Sequence, residues 1–169
     1  MNIKVKITTT ENMKYYGCPK NTIKEIDFEE YVAIVVASEM GNAPQEALQA
    51  QAIASRTYAC ARGVLNGKVI SDNSSSAQAF RAPRVVYKNA AAAAKATAGQ
   101  VLMYGGRYAS TCFCASNGGR TYSSEEVWGG KRNYLISRKD EWTKNTGKKK
   151  SGHGVGMSQF GAYNMAKMG

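Results

Sequence analysis

Ile3, Val5 and Ile7 alternate with Lys4 and Lys6 at the start of the chain, the period-two pattern of a strand with one buried face. This pattern predicts a strand over residues 2–9 and, after a turn at Tyr16-Gly17-Cys18-Pro19, a second over 22–26. From residue 27 the period changes to that of a helix. Phe28, Tyr31, Val32, Val35 and Val36 share one face, Asp27 and Glu30 have the spacing of a capping box, and Gly41 terminates the run. A second helix begins with Pro44 at its first position and continues to about Leu65, with Ala47, Ala50, Ala54 and Ala61 giving it a small-faced surface for close packing. Residues 71–76 read as a polar loop, followed by Gln78-Ala79-Phe80, and residues 89–98 as an alanine-rich third helix closed by Gly99. Gly105-Gly106 marks a hairpin between 101–104 and 107–115, and a short last helix starts near Ser158. No repeat and no long linker interrupts the 169 residues. The predicted fold is α+β, one domain over residues 1–169, with a central helical pair packed against antiparallel strands and hairpins.

Charge adds a partner class to this outline. Twenty-three Lys and Arg face 12 Asp and Glu, a net charge of +11, which either attracts a polyanion such as an acidic cell wall or forms a solvated basic surface. The densest cluster, Lys144 to Lys150, reads as an exposed loop. Aromatic residues are not interleaved with the basic ones as in a stacking platform, so nucleic acid is not expected as the partner. No apolar run approaches the ~18 residues of a membrane span. The opening strand lacks the layout of a secretory signal, so export is expected to depend on a longer parent chain, a phage particle, or lysis by another protein. The four cysteines, Cys18, Cys60, Cys112 and Cys114, are read as mostly reduced packing residues. A Cys18–Cys60 bridge has no support in the pattern, and Cys112 and Cys114 point to one face of an extended segment too far apart to bond.

Three constellations carry candidate chemistry. Glu39 follows Val35 and Val36 by four and three residues and so falls on the apolar face of the first long helix. A partly desolvated carboxyl there suits a general acid that later returns as a base; the alternative is a glutamate turned to solvent or paired with an arginine such as Arg56. Gly152-His153-Gly154-Val155-Gly156-Met157-Ser158-Gln159 holds the single histidine, next to a serine that caps a helix. His153 there is a proton carrier, a sugar-binding donor, a metal ligand or a structural residue of a turn. Ser116-Asn117-Gly118-Gly119-Arg120-Thr121 suits either recognition of a neutral polar ligand or an ordinary turn. Cys112, Cys114 and His153 are acceptable zinc ligands by type, but C-x-C is not the usual spacing and no fourth ligand is evident. A Cys–His nucleophilic pair is disfavoured, because both cysteines lie within a strand rather than at a helix N-terminus.

In their order along the chain, several segments together resemble the SpoIID/LytB family, the stage II sporulation protein D type of lytic transglycosylase. They are Glu30-Tyr31-Val32 through Ser38-Glu39-Met40, Glu46-Ala47-Leu48-Gln49-Ala50-Gln51-Ala52 with Arg56-Thr57-Tyr58, Ser116 through Thr121, Glu126-Val127-Trp128-Gly129, and Gly152 through Ala162. The resemblance implies cleavage of the MurNAc–GlcNAc bond of peptide-stripped peptidoglycan strands, outside the cytoplasm, with Glu39 as the single acid/base. It places Arg56, Tyr58, Ser116, Asn117, Thr121, His153, Ser158 and Gln159 along the glycan cleft or in support of Glu39. It implies no resident cofactor. Zinc enters only because some relatives bind it near the turn before the double glycine, where this chain has Cys114 and Asn117. The alternative role attributed to relatives is a glycan-binding module that recruits or stimulates a cell-wall amidase. Two departures stand out: the stretch from Trp142 to Gly152 is short and lysine-rich where the family carries a longer insertion, so the cleft is expected to be more open there. The chain also ends soon after the last motif, with a closing strand expected to be missing or supplied elsewhere.

Overall fold

The computed structural model describes residues 1–82 and 88–169. Two compact units divide them, Met1–Ser110 and Thr111–Gly169. Both mix helices with short strands, so the class is α+β.

In the first unit Ile3 and Val5 of β1 (Asn2–Lys6) are buried while Lys4 is exposed, as the alternation predicts. A short helix, α1 (Thr10–Tyr16), precedes β2 (Ile23–Asp27), which pairs antiparallel with β1. Sequence periodicity misses α1 because its seven residues are mostly polar and its buried residue is Asn12. The long helix α2 (Phe28–Met40) begins at Asp27, whose carboxylate accepts from the Glu29 and Glu30 N–H groups. All five residues of the predicted stripe are buried, joined by Ile34. Next comes α3 (Gln45–Ala61), with Pro44 just outside it, then a 3-10 turn (Val64–Asn66) and β3 (Val69–Ser71). The second long helix therefore ends before the expected Leu65, because the chain turns there to lay β3 alongside β1. That pairing is parallel, a correction to the antiparallel sheet expected, and gives the strand order β2-β1-β3. Beyond them, α4 (Lys88–Ala96) buries Ala90, Ala93 and Ala94, whose small side chains let α2, α3 and α4 pack closely on one another. The glycine hairpin forms as read, with β4 (Met103–Tyr104) and β5 (Arg107–Tyr108).

The second unit departs further from the prediction. The expected long hairpin arm over 107–115 is broken, and β6 (Phe113–Cys114) pairs in parallel with β7 (Met157–Ser158). Between them lie α5 (Ser124–Trp128), opened by a capping box of Ser123 and Glu126, and α6 (Glu141–Lys144), capped at its start by Asp140. Both are too short to show a helical period. The last helix, α7 (Gln159–Met168), starts where predicted, with the Ser158 hydroxyl accepting from the Gly161 N–H. Among the described residues no helix is long and apolar enough to cross a membrane.

Candidate functional site

Glu39 lies half-buried in the last turn of α2, one turn beyond Val35 and Val36. The helix stops directly after it because Gly41 takes φ 57° and ψ −127°, a conformation that favours a residue without a side chain. One carboxylate oxygen, Oε1, accepts a hydrogen bond of 2.7 Å from the backbone N–H of Ala79. A backbone donor at that distance both orients a carboxylate and interacts with its charge. The segment that delivers the donor is tied to α2 on both sides. Gln78 Nε2 donates to the Tyr31 hydroxyl at 3.1 Å and to the Ser55 carbonyl at 3.2 Å, and the Arg81 N–H donates to Ser38 Oγ at 3.0 Å. Phe80 stacks on Tyr31 with ring centroids 5.3 Å apart. Burial pushes the Tyr31 phenol well above its usual range; the Gln78 hydrogen bond opposes this, while Tyr58 and Glu39 add to it and Arg62 again opposes. Glu39, Tyr31, Tyr58 and Arg62 thus share one electrostatic neighbourhood.

The two α3 residues expected at the site have different fates. Tyr58 is half-buried, and its hydroxyl accepts from Arg62 Nη2 at 2.6 Å, with the guanidinium also 4.9 Å from its ring centre. Arg62, one helical turn on, was not singled out in the sequence, although its i+4 spacing from Tyr58 is a usable signal. Arg56 is only 1% exposed and looks inward. Its Nε and Nη2 grip the two oxygens of Glu29 at 2.9 and 2.6 Å, and the remaining donors reach the carbonyls of Ala94 and Gln100 and the hydroxyl of Thr97. The pairing of Arg56 with Glu39 considered from sequence is replaced by one with Glu29. Arg56 therefore joins the first turn of α2 to α4, and supports the helix that carries Glu39 rather than presenting its charge to a ligand. Gln78, Ala79 and Ser38, which surround Glu39, carry no periodic signal.

The other candidate residues belong to the second unit. Ser116 and Asn117 are buried: the Ser116 hydroxyl donates to the Lys148 carbonyl and accepts from Gly118, while Asn117 donates to Asp140 at 2.6 Å and accepts from Gly119. The two side chains shape the turn from within. Thr121 Oγ1 donates to the Ile136 carbonyl at 2.8 Å and accepts from Arg138 at 2.9 Å. His153 is half-buried; its Nδ1 accepts from the Val155 N–H at 3.0 Å and its ring lies 5.2 Å from that of Trp128, an exposed residue. Burial pulls the His153 imidazole below its usual range, opposed by a backbone hydrogen bond with Phe113 and reinforced by Lys150. Ser158 is spent on capping α7, and Gln159 is the first residue of that helix. Lys150 Nζ and the Arg120 guanidinium lie 4.3 and 3.8 Å from the centre of the Tyr122 ring, so basic side chains border the Gly118-Gly119 turn.

All four cysteines are free. Burial pushes the thiols of Cys60, Cys112 and Cys114 up, which disfavours the thiolate needed by a nucleophile. Among the described residues, Cys112, Cys114 and His153 included, no three His, Cys, Asp or Glu side chains cluster as a metal site.

The first unit is thus a helical α+β scaffold that holds Glu39 at a helix end under a backbone donor. Residues 16–104 match the family model SpoIID, described as "Stage II sporulation protein", and the chain belongs to this family. The match includes Glu39, Ala79, Arg56 and Tyr58 and ends before the second unit. An uncharacterized protein of Brachyspira hyodysenteriae is 32% identical over 133 residues, covering 72% of this chain and 36% of its own length. The amidase enhancer of Bacillus subtilis is 37% identical over 101 residues, 56% of this chain and 13% of its own. Stage II sporulation protein D of Bacillus subtilis is 29% identical over 154 residues, 80% of this chain and 45% of its own. The chain thus spans less than half the length of each of these relatives.

Proposed function

We propose that this chain is a peptidoglycan lytic transglycosylase domain that acts on glycan strands in the cell wall, outside the cytoplasm, with Glu39 as acid and then base. The observation that carries the reading is Glu39 itself, half-buried in the family-matched region with Oε1 held by the Ala79 N–H. The other carboxylates of the first unit in comparable surroundings are committed: Glu29 to Arg56, and Asp72 to Thr8, Thr9 and Asn12. A single acid/base carboxyl suffices for the transglycosylase reaction. Protonated Glu39 gives its proton to the bridging oxygen as the C1–O bond of MurNAc breaks, releasing GlcNAc with a free 4-hydroxyl. The carboxylate then takes the proton of the MurNAc 6-hydroxyl as O6 bonds to C1. The product is a 1,6-anhydro end, no water is consumed, and Glu39 is again protonated.

Digestion of purified, peptide-stripped glycan strands, with mass spectrometry of the fragments, tests the proposal. Wild type is expected to release anhydro-ended fragments and Glu39→Gln none; reducing ends would mean hydrolysis instead. The name of the amidase-enhancing relative favours a second reading, a glycan-binding module that stimulates a cell-wall amidase. Glycan binding and amidase stimulation that persist in Glu39→Gln, with no cleavage by wild type, would select it.

A further inference from the structure

Residues 78–82 form neither helix nor strand, yet the four successive N–H groups of Ala79, Phe80, Arg81 and Ala82 all donate to protein acceptors. An irregular segment normally gives its backbone groups to water. Here each residue meets a specific partner. Gln78 is anchored through its side chain to Tyr31 and Ser55. The Phe80 carbonyl accepts from Asn12 Nδ2 at 2.8 Å, and the Ala82 N–H donates to Asn12 Oδ1 at 2.7 Å. The Arg81 N–H donates to Ser38 Oγ, which spends its own proton on the Ile34 carbonyl at 2.7 Å and so presents a lone pair. Asn12 is fully buried and also bonded to the buried Asp72. Between these anchors the Ala79 N–H meets Glu39.

We infer that Ser38, Gln78 and Asn12 are positioning residues for Glu39: they hold this strap so that the Ala79 amide fixes one oxygen of the acid/base. The inference rests on the catalytic assignment of Glu39 made above. A glutamate side chain has three rotatable bonds, and a backbone donor held in place restrains the outermost of them. An oxygen that already accepts an N–H takes the carbonyl role in the protonated carboxyl group, so the transferable proton is directed to the other oxygen. When the proton has left, the same N–H stabilises the charge without any rearrangement. Three side chains from separate parts of the chain are used because no strand or helix runs through 78–82 to aim that amide.

The test uses the purified chain with the variants Ser38→Ala, Ser38→Thr, Gln78→Met and Glu39→Gln, and two measurements. The first is the amide proton resonance of Ala79. It is expected at low field in the wild type, to move upfield in Glu39→Gln, and to move partway in Ser38→Ala and Gln78→Met. The second is the kinetics of anhydro-end formation on peptide-stripped strands. Ser38→Ala and Gln78→Met are expected to lower kcat roughly 10- to 100-fold with KM unchanged, the scale of a misplaced catalytic group. Ser38→Thr, which keeps the hydroxyl, is expected to recover most of the loss. A resonance indifferent to Glu39→Gln, an unchanged kcat in Ser38→Ala, or a loss confined to KM would overturn the inference. If wild type releases no anhydro ends the catalytic reading fails, and the Ala79 resonance still decides whether the strap orients Glu39.

Discussion

At the scale of single residues, the pair Glu29–Arg56 shows how burial assigns roles to charges. Arg56 is almost wholly enclosed, whereas Glu29 is 37% exposed, so the pair is asymmetric. Glu29→Gln leaves a buried guanidinium without its countercharge, and we expect a loss of about 3 kcal/mol in urea unfolding. Arg56→Met keeps much of the volume and leaves a carboxylate that water reaches, so about 2 kcal/mol is expected, mainly from carbonyls deprived of donors. The opposite order would mean that Arg56 matters for its shape more than its charge. In the proposed glycan cleavage Arg56→Met is expected to leave KM unchanged in protein that remains folded, since Arg56 does not reach the surface. Helical spacing in the sequence located Glu39, and the family resemblance singled out Arg56, but neither indicated their partners. Position 29 is an unremarkable exposed-face glutamate until α4 and the turn after it bring the Ala94 and Gln100 carbonyls to the guanidinium.

Among the elements, the long helices, the alternating first strand and the glycine hairpin were legible, and most other short elements were not. Thirteen residues of α2 and 17 of α3 contain enough turns for a period to appear. Helices of four to seven residues and two-residue strands do not, and their positions follow from capping groups and from pairing with distant chain. The pairing of β6 with β7 gives a sharp test. Gly156 has φ 75°, and a Cβ built on it would collide with the Cys112 carbonyl, to which the next residue, Met157, donates at 3.0 Å. Gly156→Ala combines backbone strain with a steric clash, and a destabilisation of about 3 kcal/mol or more is expected. Amide exchange in wild type and variant would localise it: protection at Met157 should fall in the second unit while α2 and α3 keep theirs. A substitution tolerated without such loss would contradict the close approach of the two segments.

For the molecule as a whole, one enclosed carboxylate in each unit links stability to pH. Burial pushes Asp72 up, but hydrogen bonds from Thr8, Asn12 and Thr9 outweigh it and hold the carboxyl below its usual range. Asp140 behaves likewise, with burial opposed by Thr143, Asn117 and the backbone of Trp142. A folded carboxyl below its unfolded value binds fewer protons than the unfolded chain does. Its contribution is therefore complete above the unfolded value of about 3.9 and is lost as pH falls towards the folded one. Thermal unfolding should be nearly insensitive to these two groups above about pH 5 and weaken below about pH 4. In Asp72→Asn and Asp140→Asn the acid limb should flatten and the midpoint at neutral pH should drop. Stability unchanged at neutral pH in both variants would rule out this account. By itself the sequence determined the class of fold, the two long helices, the glycine hairpin and the place of Glu39 on an apolar face, because these depend on spacing along a single element. Only the tertiary structure decided which donor meets Glu39, that Arg56 is internal, that Ser116 and Asn117 build their turn, and that two strand pairings are parallel. Each of those depends on groups far apart in the chain, and no local pattern of polar and apolar residues encodes a distance between them.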